Sequence, residues 1–155
     1  MLSPYIASLR QKIGHDFLLL PSVTVLVFDE EDRVLLVKHH NNELWVAPGG
    51  AIEPDQTPEA AALREMEEET GYIVELQANL GTYGGPQFRI TYSNGDQVGY
   101  VMTLFNARIV SGSPAPDGQE ILDIRFFSYE ETKQVSCGQW LSIVLDDVYR
   151  KRLRQ

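Results

Sequence analysis

A single cysteine, Cys137, stands in 155 residues. One thiol excludes an intrachain disulfide and a cysteine-based zinc site. It suits a reducing compartment, so the cytoplasm is the expected location. Long hydrophobic runs are missing as well. The most apolar stretch, 17–28, is broken by Pro21, Ser22 and Thr24 and is too short to span a bilayer. Basic residues are in deficit: 13 Lys and Arg face 22 Asp and Glu, for a formal charge of −9. A chain of that sign has no basic patch to release counterions, so neither a nucleic-acid polymer nor a membrane is an expected partner. Nothing resembles a secretion signal. Linkers, internal repeats, low-complexity segments and coiled-coil heptads are all wanting. Residues 1–155 are therefore read as one domain, long enough for a proper core.

What the chain has in excess is acid in one place. Residues 53–69 hold seven acids and one base, a local charge of −6. They belong to the stretch Gly49 to Tyr72, GGAIEPDQTPEAAALREMEEETGY. Gly49-Gly50 is expected to turn the chain sharply. Thr57 offers a helix N-cap, Pro58 suits the first helical position, and Gly71 suits a left-handed stop, which predicts a helix over 58–70. Its last turns carry Glu65, Glu67, Glu68 and Glu69. Carboxylates at a helix C-terminus oppose the dipole at roughly 0.3–1 kcal/mol each, and Glu65 and Glu69 are like charges at i,i+4. Glu65, Glu68 and Glu69 share one face, while Glu67 points elsewhere. Three carboxylates gathered against the local field point to a divalent cation, and all-oxygen ligands point to Mg²⁺ or Mn²⁺.

The spacing of Gly50, Arg64, Glu65, Met66, Glu68, Glu69 and Gly71 resembles the Nudix box of the Nudix hydrolases, the MutT-like pyrophosphatases, here spanning residues 50–72. Two positions depart from it: Gln56 stands where the box has its first glutamate, and Tyr72 where it has an aliphatic residue. The resemblance implies an α+β Nudix fold, a mixed β-sheet sandwiched between helices. It implies that Glu65, Glu68, Glu69 and the Gly49 carbonyl hold one or more Mg²⁺, Mn²⁺ being a substitute. Arg64, one residue before Glu65 and four before Glu68, is expected to orient a glutamate. Glu120 is the candidate for a further carboxylate from outside the box. The activity implied is Mg²⁺-dependent hydrolysis within the pyrophosphate of a nucleoside diphosphate linked to another moiety, ADP-ribose or a nucleotide sugar before a nucleoside triphosphate. The substrate is thus a small nucleotide, and a homodimer is plausible. The alternatives are a nucleotide sensor that no longer hydrolyses, which the intact glutamates oppose, and an isoprenoid isomerase. The isomerase needs a cysteine near the start of the sheet, and Cys137 is far from it. The general base and the number of metal ions stay open.

The rest of the chain reads in order. Ser3-Pro4 predicts the start of an additional N-terminal helix, with Ile6, Leu9 and Ile13 on one face and Gly14 as the stop. Phe17–Leu20 reads as a first strand. Val23–Phe28 and Val34–His39 read as a hairpin around the turn 29–32. His39 and His40, neighbours on a strand, point to opposite faces and make a poor ligand pair. Trp45 reads as core. Ile73–Tyr83 is a predicted strand, and 88–92 with 97–107 form a hairpin around Asn94-Gly95. Arg89 on that hairpin reads as a solvated strand residue before a phosphate contact. Residues 110–119 read as a loop and Ile121–Phe127 as a strand. Ser128 to Glu131 form a capping box. A last helix over 138–152 carries Leu141, Val144, Leu145 and Val148 on one face.

Overall fold

The computed structural model describes residues 3–40 and 43–153, without the side chain of Leu153. Among them are eight strands and four α-helices. Helix α1 (Pro4–Ile13) starts where Ser3 Oγ accepts the Ile6 N–H at 3.1 Å, and ends at Gly14. It fully buries no residue. Its face Ile6, Leu9 and Ile13 is half-buried, and polar contacts hold it as well. Arg10 donates to the carbonyls of Gly14, Asp16 and Gln97, and its guanidinium pairs with Asp96, which also meets His15 Nδ1 at 2.7 Å.

Strand β1 runs unbroken from Leu18 to Val27, through Pro21, and pairs in parallel with Val98–Ala107. The two strands expected here are one. Its ladder with β4 covers Ser22–Thr24, and Pro21 lies just past the end of it, accepting the Ile52 N–H at 3.1 Å on its carbonyl while its own missing N–H ends the ladder there. The turn after β1 forms as expected: Asp29 Oδ1 accepts the N–H groups of Glu31 and Arg33. The hairpin does not. One bridge, Phe28 to Val34, joins the strands before they part into different sheets. Both edges of β1 are taken by other strands, and β2 (Val34–His39) finds its own partners.

The larger sheet runs β4 (Gly49–Ala51), β1, β7 (Gln97–Gly112), β5 (Tyr72–Tyr83), with β6 (Arg89–Thr91) also on β7. The β1–β7 pair is parallel and the others antiparallel, so the sheet is mixed. The smaller sheet, β3 (Trp45–Val46), β2, β8 (Ile121–Phe127), is antiparallel. β7 outruns the expected hairpin because β5 stays paired with it as far as Gly112, so the loop predicted from residue 110 begins later.

Helix α2 (Pro58–Thr70) and helix α4 (Gln139–Leu153) cover opposite faces of these sheets. The strand alternation shows it. Val23, Val25, Val27 and Leu35 pack with Ala61, Ala62 and Met66 of α2, while Leu26, Val34 and Leu36 pack with Leu141, Val144, Leu145 and Val148 of α4. A short helix, α3 (Tyr129–Thr132), opens on the capping box expected at Ser128 and Glu131. Trp45 is core, edge-on to Phe127. No helix among the described residues is long and apolar enough to cross a membrane.

Candidate active site

The ends of α2 are set by the residues the sequence singles out. Thr57 Oγ1 accepts the Ala60 N–H at 3.1 Å, and Gly71 (φ 81°) donates its N–H to the Glu67 carbonyl at 2.9 Å. Between them, Ala61, Ala62, Met66 and Thr70 face the core and draw Glu69 in with them. Glu69 keeps only 8% of its side-chain surface and Glu65 12%, whereas Glu68 keeps 60%. Glu67 is exposed, as its helical phase predicts.

Gly49 and Gly50 do a different job from the one expected. They lie in β4, paired with Thr24 and Val23, and neither is among the glycines with positive φ. What they permit is close approach. A Cβ on Gly49 would stand 2.2 Å from the Val23 carbonyl oxygen, and one on Gly50 would stand 2.4 Å from Glu65 Oε1. The Glu65 carboxylate therefore rests on bare backbone. Next to it, the Gly49 N–H donates to Glu69 Oε2 at 3.3 Å.

Arg64 braces this arrangement. Its Nη1 donates to Glu65 Oε1 at 3.0 Å and to Glu68 Oε2 at 3.1 Å. Its Nη2 donates to the Ala51 carbonyl at 3.3 Å and to Gln56 Oε1 at 3.2 Å. Gln56 Oε1 also accepts the Glu53 N–H at 3.1 Å. The departure at position 56 is thus a neutral acceptor that closes the loop 53–56 onto the helix. It supplies the arginine with a partner and adds no further charge.

Two residues join the site that spacing alone did not assign to it. His39 sits at the end of β2, where the register against β8 slips between Lys38 and His39. Its Nε2 lies 4.0 Å from Glu69 Oε1, beyond a hydrogen bond but within reach of one. Asp117 holds the loop before β8, in which Glu120 stands. Its Oδ1 accepts the N–H groups of Gln119, Glu120 and Ile121 at 3.0, 3.0 and 2.9 Å. The Glu120 carbonyl in turn accepts the His40 N–H at 3.0 Å. Arg89 is elsewhere, stacked over the Phe17 ring at 4.3 Å and reaching Gln97.

The electrostatics follow from this packing. Burial pushes Glu69 well above the ordinary carboxylate range. The charges of Glu65 and Glu120 push it further, and the Gly49 N–H offsets only part. Glu65 is raised by burial, relieved by Arg64, and raised again by Glu68 and Glu120. Burial lowers the His39 imidazole, against the pull of Glu120 and Asp117. Among the described residues no three acidic, histidine or cysteine side chains converge on one point as they stand, and Glu68 turns outward to Arg64. The donor chemistry nonetheless fits a hard divalent ion. Two buried carboxylates lie beside each other, each disfavoured as an anion, with one guanidinium and one N–H between them to offset the charge.

The NUDIX domain profile matches residues 18–142. This chain belongs to the Nudix family. It is 36% identical over 104 residues to a Bacillus subtilis (strain 168) protein named, provisionally, as an 8-oxo-dGTP diphosphatase, covering 67% of this chain and 63% of that protein. It is 31% identical over 104 residues to the ADP-ribose pyrophosphatase of Methanocaldococcus jannaschii, covering 65% of this chain and 57% of that protein. The match thus spans about three fifths of either relative's length. Among solved structures, a UDP-X diphosphatase superposes with a TM-score of 0.70 at 23% identity, over 98% of this chain and 73% of that one. The NUDIX domain of Shewanella oneidensis NrtR, in complex with ADP-ribose, does so with 0.64 at 21%, over 98% and 99%. These likenesses establish the Nudix fold for this chain, with helix α1 ahead of the stretch that the family profile matches.

Proposed function

We propose that this Nudix chain hydrolyses the pyrophosphate linkage of a nucleoside diphosphate joined to another moiety, with ADP-ribose or a nucleotide sugar as the substrate. The observation that carries it is the pair of buried carboxylates, Glu65 and Glu69, set against bare glycine backbone with Arg64 as their brace. Glu65, Glu68, Glu69 and the Gly49 carbonyl would hold Mg²⁺, with Mn²⁺ as a substitute. Once bound, the ion neutralises phosphate charge and acidifies a water. The chain's own residues then have separate tasks. Arg64 keeps Glu65 and Glu68 in place, Gln56 keeps Arg64 in place, and Glu120 brings a fourth carboxylate to the open side.

The relative named for ADP-ribose and the NrtR domain seen with it support the first choice of substrate. The Bacillus subtilis relative, at higher identity, supports hydrolysis of a nucleoside triphosphate as the second. A purely sensing role sits poorly with an intact set of Glu65, Glu68 and Glu69. The cytoplasm, inferred from the single cysteine, and a homodimer, inferred from exposed sheet edges and the additional helix α1, belong to the same proposal.

A panel of nucleotides with Mg²⁺, read by chromatography for the nucleoside monophosphate formed, tests it. The wild type should favour ADP-ribose or a nucleotide sugar. Glu69→Gln, Glu65→Gln and Glu68→Gln should each lose turnover by roughly a hundredfold, a barrier change of about 2.7 kcal/mol, while Glu67→Gln stays active. Equal turnover in Glu69→Gln and Glu67→Gln would sink the assignment. A preference for triphosphates would move the substrate to the second reading.

A further inference from the structure

We propose that Asp117 is a positioning residue, whose carboxylate builds the loop that presents Glu120 to Glu65 and Glu69. The inference rests on the reading of Glu120 as part of the site, and adds the residue through which that reading is realised.

Three consecutive backbone N–H groups, those of Gln119, Glu120 and Ile121, converge on one oxygen, Asp117 Oδ1. The turn is completed by the Gly118 N–H on the Ile121 carbonyl at 2.9 Å, with Gly118 at φ 74°. That curl of backbone brings Glu120 to the very start of β8, where the Glu120 carbonyl accepts the His40 N–H. Ile121 then pairs with His39, at the step where the β2–β8 register slips. His39 is the residue whose ring faces Glu69. From this strand start, which Asp117 fixes, Glu120 lies near enough for its charge to act on both Glu65 and Glu69. The other end of the loop is tied to the box helix: the Ala115 N–H donates to the Thr70 carbonyl at 2.9 Å. Both ends being held, Asp117 controls what lies between them.

A second role for Asp117 would be to act by its charge, and the two make opposite demands. Positioning needs an oxygen at the Oδ1 location that accepts three N–H groups. An amide oxygen does this, and a carboxylate displaced by a methylene does not. A charge effect needs the anion and tolerates the displacement.

The test uses the full chain with Mg²⁺ and ADP-ribose as the probe substrate. Asp117→Ala should lower kcat by roughly tenfold with little change in KM, and Asp117→Asn should recover most of it. Asp117→Glu should behave like Asp117→Ala. In a Glu120→Gln background, Asp117→Ala should add no further loss, because a residue acting only through Glu120 has nothing left to position. Native-state amide exchange gives a reading that does not depend on turnover: the N–H groups of Gln119, Glu120 and Ile121 should exchange faster in Asp117→Ala and at the wild-type rate in Asp117→Asn. Wild-type turnover in Asp117→Ala with Glu120→Gln impaired overturns the proposal. So do losses that multiply in the double variant, rescue by Asp117→Glu but not by Asp117→Asn, or unchanged exchange at those three amides. Wild-type turnover in Glu120→Gln removes Glu120 from the site and the proposal with it. Failure of every variant and the wild type to turn over any nucleotide is instead a failure of the hydrolase reading, and the exchange rates then decide the loop alone.

Discussion

At the scale of single residues, the site depends on atoms that are absent. Gly49 and Gly50 carry no Cβ, and two close approaches occupy that space: the Val23 carbonyl behind Gly49 and the Glu65 carboxylate over Gly50. The two differ in what a methyl group would displace. At Gly49 it would meet backbone in the middle of a paired strand, and the sheet would have to shift. At Gly50 it meets the end of a glutamate side chain, which can rotate away at modest cost. Gly50→Ala is therefore expected to fold, to melt within a few degrees of the wild type, and to lose turnover by at least roughly tenfold because Glu65 is pushed off its seat. Kinetics alongside thermal melts check this, and unchanged kcat would show that the Glu65 position is not critical. Gln56 shows the same dependence on neighbours. Beside Arg64 and the Glu53 N–H it works as an uncharged acceptor, so its substitution for a box glutamate leaves the brace intact.

At the scale of elements, α2 and α1 are held by opposite means. α2 buries Ala61, Ala62 and Met66 completely, and fully burying Met66 alone is worth roughly 1.5–3 kcal/mol. That anchoring lets the helix tolerate carboxylates at its C-terminal end, where the dipole disfavours them. α1 fully buries no residue: Ile6, Leu9 and Ile13 are only half-buried, and the helix is also tied by Arg10 and by His15 just after it, both of which meet Asp96 in the turn before β7. Asp96→Ala is expected to free α1 without unfolding the sheets. The N–H groups of Tyr5–Ile13 should exchange faster, and that segment be cleaved faster by a protease, while the main melting transition stays where it is. A drop in that transition would mean α1 is integral to the core after all. The amphipathic pattern of Ile6, Leu9 and Ile13 predicted the helix correctly, but a stripe at helical spacing does not say whether the fold supplies anything to cover it.

At the scale of the whole molecule, the buried glutamates couple function to stability. Both Glu65 and Glu69 have folded-state pKa values raised above the ordinary 4.5. A raised carboxylate means that the folded state holds its proton more tightly than the unfolded chain. The metal-free protein is then relieved of this cost below about 4.5 and loses stability as pH rises through the raised values. Glu69→Gln removes one of the two groups while keeping an acceptor for the Gly49 N–H. Without divalent ions it is expected to melt above the wild type at pH 7.5, with the difference closing towards pH 4. Added Mg²⁺ should reverse the order. An ion at a hundred times its Kd stabilises the wild type by about 2.7 kcal/mol, which for a chain this size is on the order of 5–10 °C. Calorimetric melts across pH, with and without Mg²⁺, check both signs. A Glu69→Gln protein that melts below the wild type at pH 7.5 without metal would refute the burial cost.

Whatever is settled within a few residues of the chain could be read from the amino acids alone. Thr57, Pro58 and Gly71 set both ends of α2, the Ser128–Glu131 capping box opened α3, and the stripe Leu141, Val144, Leu145 and Val148 predicted the buried face of α4. Caps and helical phase are local physics, with partners three or four residues away. How the strands are shared depended on the folded arrangement. β1 and β2 look like a hairpin, yet each bonds to strands far along the chain, because a strand edge takes whichever partner the fold brings to it. It also decided that of three glutamates on one helix face Glu65 and Glu69 are covered and Glu68 is not. Glu69 lies under β4 and beside His39, while Glu68 turns out to Arg64 and solvent, and periodicity gives both the same side without saying what covers it. His39 and Asp117 were invisible as site residues for the same reason. One is brought in by a register slip and the other acts through backbone N–H groups, and neither leaves a mark on spacing.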